Sequence, residues 1–140
     1  IEKVVALAVL MPIVASMGGN AGTQTLTVAL RALALREVTR ANALRVIGKE
    51  FAVGTINGII FAVIIGSVAS YWFQMPLLGI IIGAAMIINL MVACLSGILI
   101  PLILDKTGID PAIASTVVLT TITDIFGFFV FLGLGSIYLL

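Results

Sequence analysis

The sequence predicts an all-α fold, a polytopic transmembrane helical bundle, and three observations carry that expectation. The chain of 140 residues is 62% hydrophobic and only 9% charged. That composition excludes disorder and departs from an ordinary soluble domain. Its apolar residues form four runs long enough to cross a bilayer, which takes about 20 helical residues. None alternates with period two, so helices rather than barrel strands are the spanning solution. Residues 1–140 read as a single transmembrane domain.

The first run extends from about Val4 to Leu30 and the second from about Phe51 to Phe73. The third extends from about Leu77 to Leu104 and the fourth from Pro111 to Leu140. Gln74-Met75-Pro76 is a tight uncharged turn. Asp105 to Pro111 reads as a helix stop followed by a start. Gly108 suits the left-handed position after a helix, Asp110 an N-cap and Pro111 the first helical turn. Residues 31–50 differ, with Arg31, Arg36, Arg40, Arg45 and Lys49 against Glu37 and Glu50. This basic linker is expected to be partly helical and to lie at the membrane surface.

The net charge of +1 offers no basic surface for nucleic acid. There is no His, and the single cysteine, Cys94, sits inside an apolar run. No disulfide framework or thiolate cluster can form within one chain, and Cys94 reads as a small buried hydrophobe. The linker holds five of the seven basic residues, Lys106 adds another, and the Gln74 turn has none. The positive-inside rule then places residues 31–50 and 105–110 in the cytoplasm and Leu140 outside a plasma membrane. Ile1 also falls outside, with no cleavable signal pattern, so a longer parent protein with one more preceding span is expected.

Gly54 with Gly58 and Gly79 with Gly83 are GxxxG pairs and predict close helix packing. Asn57 and Asn89 are single polar groups within spans and read as interhelical hydrogen-bonding residues. The first run is interrupted by Gly18-Gly19-Asn20-Ala21-Gly22-Thr23-Gln24-Thr25, downstream of Pro12. Each glycine weakens a helix by about 1 kcal/mol relative to Ala. Two readings are open. In one the helix unwinds, and freed carbonyls with the Asn20, Thr23 and Gln24 side chains offer oxygen to ions. In the other the glycines form a packing face.

Asp124 is the only charged side chain deep within an apolar span. It follows Pro111 by thirteen residues, roughly 20 Å along a helix and near mid-membrane. A carboxylate in hydrocarbon is costly unless something compensates it, so Asp124 is a candidate functional residue, and the compensation expected is a proton, a cation or a water-filled path. Ala112, Thr116, Thr120, Asp124 and Gly127 recur at spacings of three or four and share one face, while Ile125, Phe126, Phe128, Phe129 and Leu132 mostly occupy the others. Without His or thiolate ligands, a dedicated zinc or copper cage is disfavoured and hard cations are favoured. One carboxylate per chain is too few for a dehydrated Ca²⁺ cage, but Mg²⁺ keeps its waters and is held through them. Two chains on a two-fold axis would set two Asp124 carboxylates on one divalent ion.

The order and spacing of these residues resemble MgtE-type magnesium channels. The resemblance rests on Gly18-Gly19-Asn20-Ala21-Gly22-Thr23-Gln24 with Leu30-Arg31-Ala32-Leu33-Ala34, and on Lys49-Glu50 before a glycine-rich span. It rests further on Asn89, Gly97 and Pro101, and most on Asp110-Pro111-Ala112 leading to Thr120-Thr121-Ile122-Thr123-Asp124-Ile125-Phe126-Gly127. It implies a homodimeric Mg²⁺-selective channel lined by the first and fourth spans. Asp124 would take the central magnesium position, with Thr120 offering a backbone carbonyl. Thr116, Thr23 and Thr27 would lie toward the cytoplasmic part of the pore, with Gly19, Asn20 and Gln24 also lining it. Many relatives carry Asn-Pro at Thr116-Val117, and some carry Asn at Thr23. The implied partners are a second copy, the lipid bilayer, and N-terminal cytoplasmic regulatory domains which, with a further first span, are expected in a longer parent protein. No nucleophile–base pair is visible, so no enzyme is expected. The rival expectations are a secondary transporter in which Asp124 alternates between H⁺ or Na⁺ and a divalent ion, and a structural membrane subunit.

Overall fold

A computed structural model of the chain describes residues 2–36 and 42–139. Its helices are α1 (Glu2–Ala34), α2 (Ala43–Phe73), α3 (Pro76–Thr107) and α4 (Pro111–Leu134), and a π-helical turn over Gly135–Leu139 continues the last. All four are long and apolar enough to cross a membrane. The basic linker is divided between its neighbours: α1 runs on to Ala34 and α2 begins at Ala43. Glu37 and Arg40 lie outside the described residues.

Local chemistry sets the turns. α2 stops where Gln74 turns left-handed, at φ 53° and ψ 38°, and Pro76 opens α3. α3 ends in a Schellman closure: the Gly108 N–H donates to the Asp105 carbonyl at 3.2 Å and the Ile109 N–H to that of Leu104 at 3.0 Å. Gly108 sits at φ 84°, where a Cβ would be strained. Pro111 then opens α4, at a position where its missing N–H costs nothing.

α1 is continuous through Gly18–Gly22 and past Pro12, so the unwound reading of this stretch does not hold. Hydrocarbon supplies no water for freed backbone groups, and the helix keeps its ladder. The missing side chains serve close approach instead. A Cβ on Gly18 would fall on the Asn89 amide, and one on Gly22 would come 3.0 Å from Leu119 Cδ1.

α3 is the central helix and packs on all three others; α1 and α4 also pack on each other, whereas α2 lies almost wholly against α3. Glycine contacts bring α2 and α3 together: a Cβ on Gly66 would lie 2.8 Å from the Gly79 carbonyl oxygen, and one on Gly58 would lie 3.0 Å from Ile87 Cα. Cys94 is buried against Gly54, the small hydrophobe expected of it. Helix association in lipid rests on this kind of van der Waals contact, because lipid tails are as apolar as leucine. Among the described residues two apolar clusters fill the interior. One gathers Leu7, Leu10, Val14, Ile82, Met86 and Phe131, and the other Leu26, Ile100 and Leu119.

α1 and α3 run parallel, opposed to α2 and α4. One end of the bundle therefore collects Arg31, Arg36, Arg45, Lys49 and Lys106. The other carries Tyr71, Trp72 and Tyr138, exposed by 86%, 77% and 63%.

Candidate functional site

The seam between α1 and α4 sets the geometry. These antiparallel helices are held in register by Gly22 against Leu119, Gly19 toward Thr123, Ala15 against Gly127 and Leu7 against Gly135. In that register Asp124 is level with Gly18, Thr120 with Gly22 and Thr116 with Leu26.

A polar side chain follows each of several seam positions by one residue. On α1, Ser16, Asn20, Thr23 and Thr27 follow Ala15, Gly19, Gly22 and Leu26. On α4, Thr116, Thr120 and Asp124 follow Ser115, Leu119 and Thr123. One residue turns a helix by about 100°. Because the two helices are antiparallel, the same step carries both sets to the same side of the pair. That side is turned away from α3, which Gly18 and Val14 face through Asn89. Ser16, Asn20, Thr23, Thr27, Thr116 and Thr120 are exposed there, and Asp124 is half-buried. Gly19 is half-buried at the seam, and Gln24 is exposed further round α1.

The hydroxyls are directed by their own helices. Thr23 Oγ1 donates to the Gly19 carbonyl at 2.8 Å and Thr27 Oγ1 to the Thr23 carbonyl at 2.9 Å. Their lone pairs are left for acceptance. The Thr120 carbonyl accepts the Thr123 hydroxyl at 3.1 Å. Among the described residues no donor binds the Asp124 carboxylate, and no group of three or more His, Cys, Asp and Glu converges. Among the described residues, one chain thus presents a single carboxylate flanked by hydroxyl and carbonyl oxygens on this face.

Residues 11–134 match the family model MgtE, described as a divalent cation transporter. The chain belongs to the MgtE family. It is 36% identical over 139 residues to the magnesium transporter MgtE of Bacillus subtilis, covering 99% of this chain and 31% of that protein. The magnesium transporter MgtE of Enterococcus faecalis is 37% identical over 133 residues, 95% of this chain and 29% of the relative. That of Thermus thermophilus is 34% identical over 140 residues, 99% and 31%. The chain thus spans about a third of the length of these MgtE relatives. Membership makes it a multi-pass membrane protein of a transporter family rather than an enzyme.

Within this MgtE domain, the residues singled out in the sequence fall into two sets. Asn20, Thr23, Thr27, Thr116, Thr120 and Asp124 share one external face, with Gly19 at its edge and Gln24 beside it. Gly127, grouped with Asp124 by spacing, is instead buried, its Cβ position 3.2 Å from Ala15 Cα. Ala112 lies among residues whose side chains are outside the description. Sequence reasoning missed Ser16, which precedes Asn20 by one helical turn on the same face; that spacing was the available signal. It also missed the burial of Ser115 and Thr123, both 0% exposed. No local signal distinguished them from their exposed neighbours.

Proposed function

We propose that the chain forms the membrane pathway of a magnesium channel in the plasma membrane. Two copies would join as a homodimer, their polar α1–α4 faces meeting around a pore centred on Asp124. The observation that carries this reading is the external polar face itself. Lipid covering it would strand a carboxylate and several hydroxyls in hydrocarbon; a second copy enclosing water would not. The magnesium specificity is supported by the relatives' description as magnesium transporters.

The chemistry is consistent with a hydrated ion. The waters of hydrated Mg²⁺ present hydrogens outward, so they need acceptors. Thr23 and Thr27 have committed their protons to backbone carbonyls and offer lone pairs. Asn20 and Gln24 add amide oxygens, and Asp124 of each copy adds a charge. A divalent ion about 5 Å from a carboxylate gains roughly 7 kcal/mol at an effective dielectric of about 20. That outweighs the roughly 3 kcal/mol that insertion scales give for a lone carboxylate at mid-membrane. Retained waters keep the attraction loose enough for release, as conduction requires.

The basic end, with Arg31, Arg45, Lys49 and Lys106, is the cytoplasmic one in this reading. Tyr71, Trp72 and Tyr138 sit at the opposite interface as an aromatic belt. Mg²⁺ uptake into liposomes carrying the intact protein tests the proposal. Uptake driven by membrane voltage alone supports a channel. Uptake that demands an opposing H⁺ or Na⁺ gradient replaces the channel with an exchanger, and no uptake contradicts transport.

A further inference from the structure

We propose that Asn89 is a positioning residue that fixes the spacing and height of α1 against α4 at the level of Asp124. The inference rests on reading the polar face as the ion path.

Asn89 lies on α3, 0% exposed. Its Nδ2 donates to the Val14 carbonyl of α1 at 2.9 Å. Its side chain fills the space that Gly18 leaves open, and Nδ2 lies 3.0 Å from where a Cβ on Gly127 of α4 would be. One amide from the central helix is thus wedged between the two helices that carry the polar face. Gly18 is level with Asp124, and Gly127 follows it by three residues. Toward either end of the bundle, large apolar side chains space the helices, with Phe131 and Met86 in one cluster and Leu119 and Ile100 in the other. At the level of Asp124 the contacts among α1, α3 and α4 include Asn89 against Gly18 and Gly127, and Ala15 against Gly127.

The stability of the bundle does not by itself explain an amide here. Asn89 Oδ1 is buried with no partner among the described residues, and leaving such an acceptor unmade is unfavourable. A small apolar side chain would fill part of this space without that cost. What an apolar side chain lacks is the directional bond to Val14, which pins α1 along its axis as well as across it.

The test uses the intact protein in liposomes and reads the ratio of Mg²⁺ to Ca²⁺ flux, which simple loss of folded protein does not move. Asn89→Ala, which removes the bond to Val14 without crowding Gly18 and Gly127, is expected to keep its size-exclusion profile while the ratio falls about tenfold, a change of the size that contacting residues transmit. Gly18→Ala, which drives a methyl into Asn89, is expected to lower the ratio similarly. The double variant Gly18→Ala with Asn89→Ala removes the clash but not the loss of the bond, and is expected to stay as low as Asn89→Ala alone. A wild-type ratio in a folded Asn89→Ala overturns the proposal, as does a double variant that recovers the wild-type ratio, because packing alone would then space the helices. Should Asn89→Ala fail to fold, Gly18→Ala decides, and a wild-type ratio there overturns the proposal. Asp124→Ala is measured alongside. If it conducts and selects normally, the ion-path reading falls; if it is dead while Asn89→Ala matches wild type, only the positioning role falls.

Discussion

Thr23 donates its hydroxyl proton to the Gly19 carbonyl of the preceding turn at 2.8 Å, so the outward side of that hydroxyl is an acceptor. Gly19 in turn sits at the seam with α4, where a Cβ would be 4.0 Å from Thr123 Oγ1. The backbone that orients the threonine is thus the backbone that holds α1 on α4. Thr23→Val keeps the shape and removes the acceptor. A hydrogen bond is worth about 0.5–1.5 kcal/mol, so Mg²⁺ flux should fall roughly two- to tenfold with folding unchanged. Thr23→Ser should retain most of the wild-type flux in the same liposome assay.

Gly79 is a packing residue and not an ion residue. A Cβ there would lie 2.5 Å from the Gly66 carbonyl oxygen and would overlap Ser70 Oγ. Overpacking of this kind costs about 1–3 kcal/mol. Gly79→Ala should lower the melting temperature in detergent, and adding Ser70→Ala should recover only part of it, because the Gly66 backbone cannot withdraw.

The exposed surfaces differ in what they meet. Thr120 on α4 belongs to the polar face, whereas Phe129, 77% exposed, belongs to an apolar one. In a Cys94→Ala background, Thr120→Cys should react with a charged, membrane-impermeant thiol reagent, and Phe129→Cys should not. Equal protection of both would place the polar face in a dry interface.

The same contrast tests assembly. Thr116→Cys should cross-link two copies with a short bifunctional maleimide in native membranes. Val63→Cys, on the outer face of α2 and 64% exposed, should not. Cross-linking through Val63 in preference to Thr116 would put the second copy on the wrong side of the bundle.

Much of the fold was legible because its punctuation is local. Gln74-Met75-Pro76 and Gly108 to Pro111 carry their own turn chemistry, and no distant residue is needed to read them. The Gly18–Gly22 stretch was legible only as a choice between unwinding and packing, since Asn89 and Leu119, which decide it, come from other helices. The fourth span shows a further limit. Steps of four residues drift by about 40° around a helix, so Thr116, Thr120, Asp124 and Gly127 share a face only approximately. Whether Gly127 points to the seam or to the exterior depends on Ala15 and Asn89. Asp124 itself stood out because a charge in an apolar run needs no neighbour to be noticed. Its setting beside Ser16 and Asn20 required the antiparallel register of α1 and α4.

The most direct test of the central claim is Mg²⁺ uptake into liposomes by the intact protein, wild type beside Asp124→Ala. A pore centred on Asp124 should give fast, voltage-driven uptake in the wild type and lose it in a variant that still folds and assembles. Undiminished, Mg²⁺-selective uptake by Asp124→Ala would contradict it.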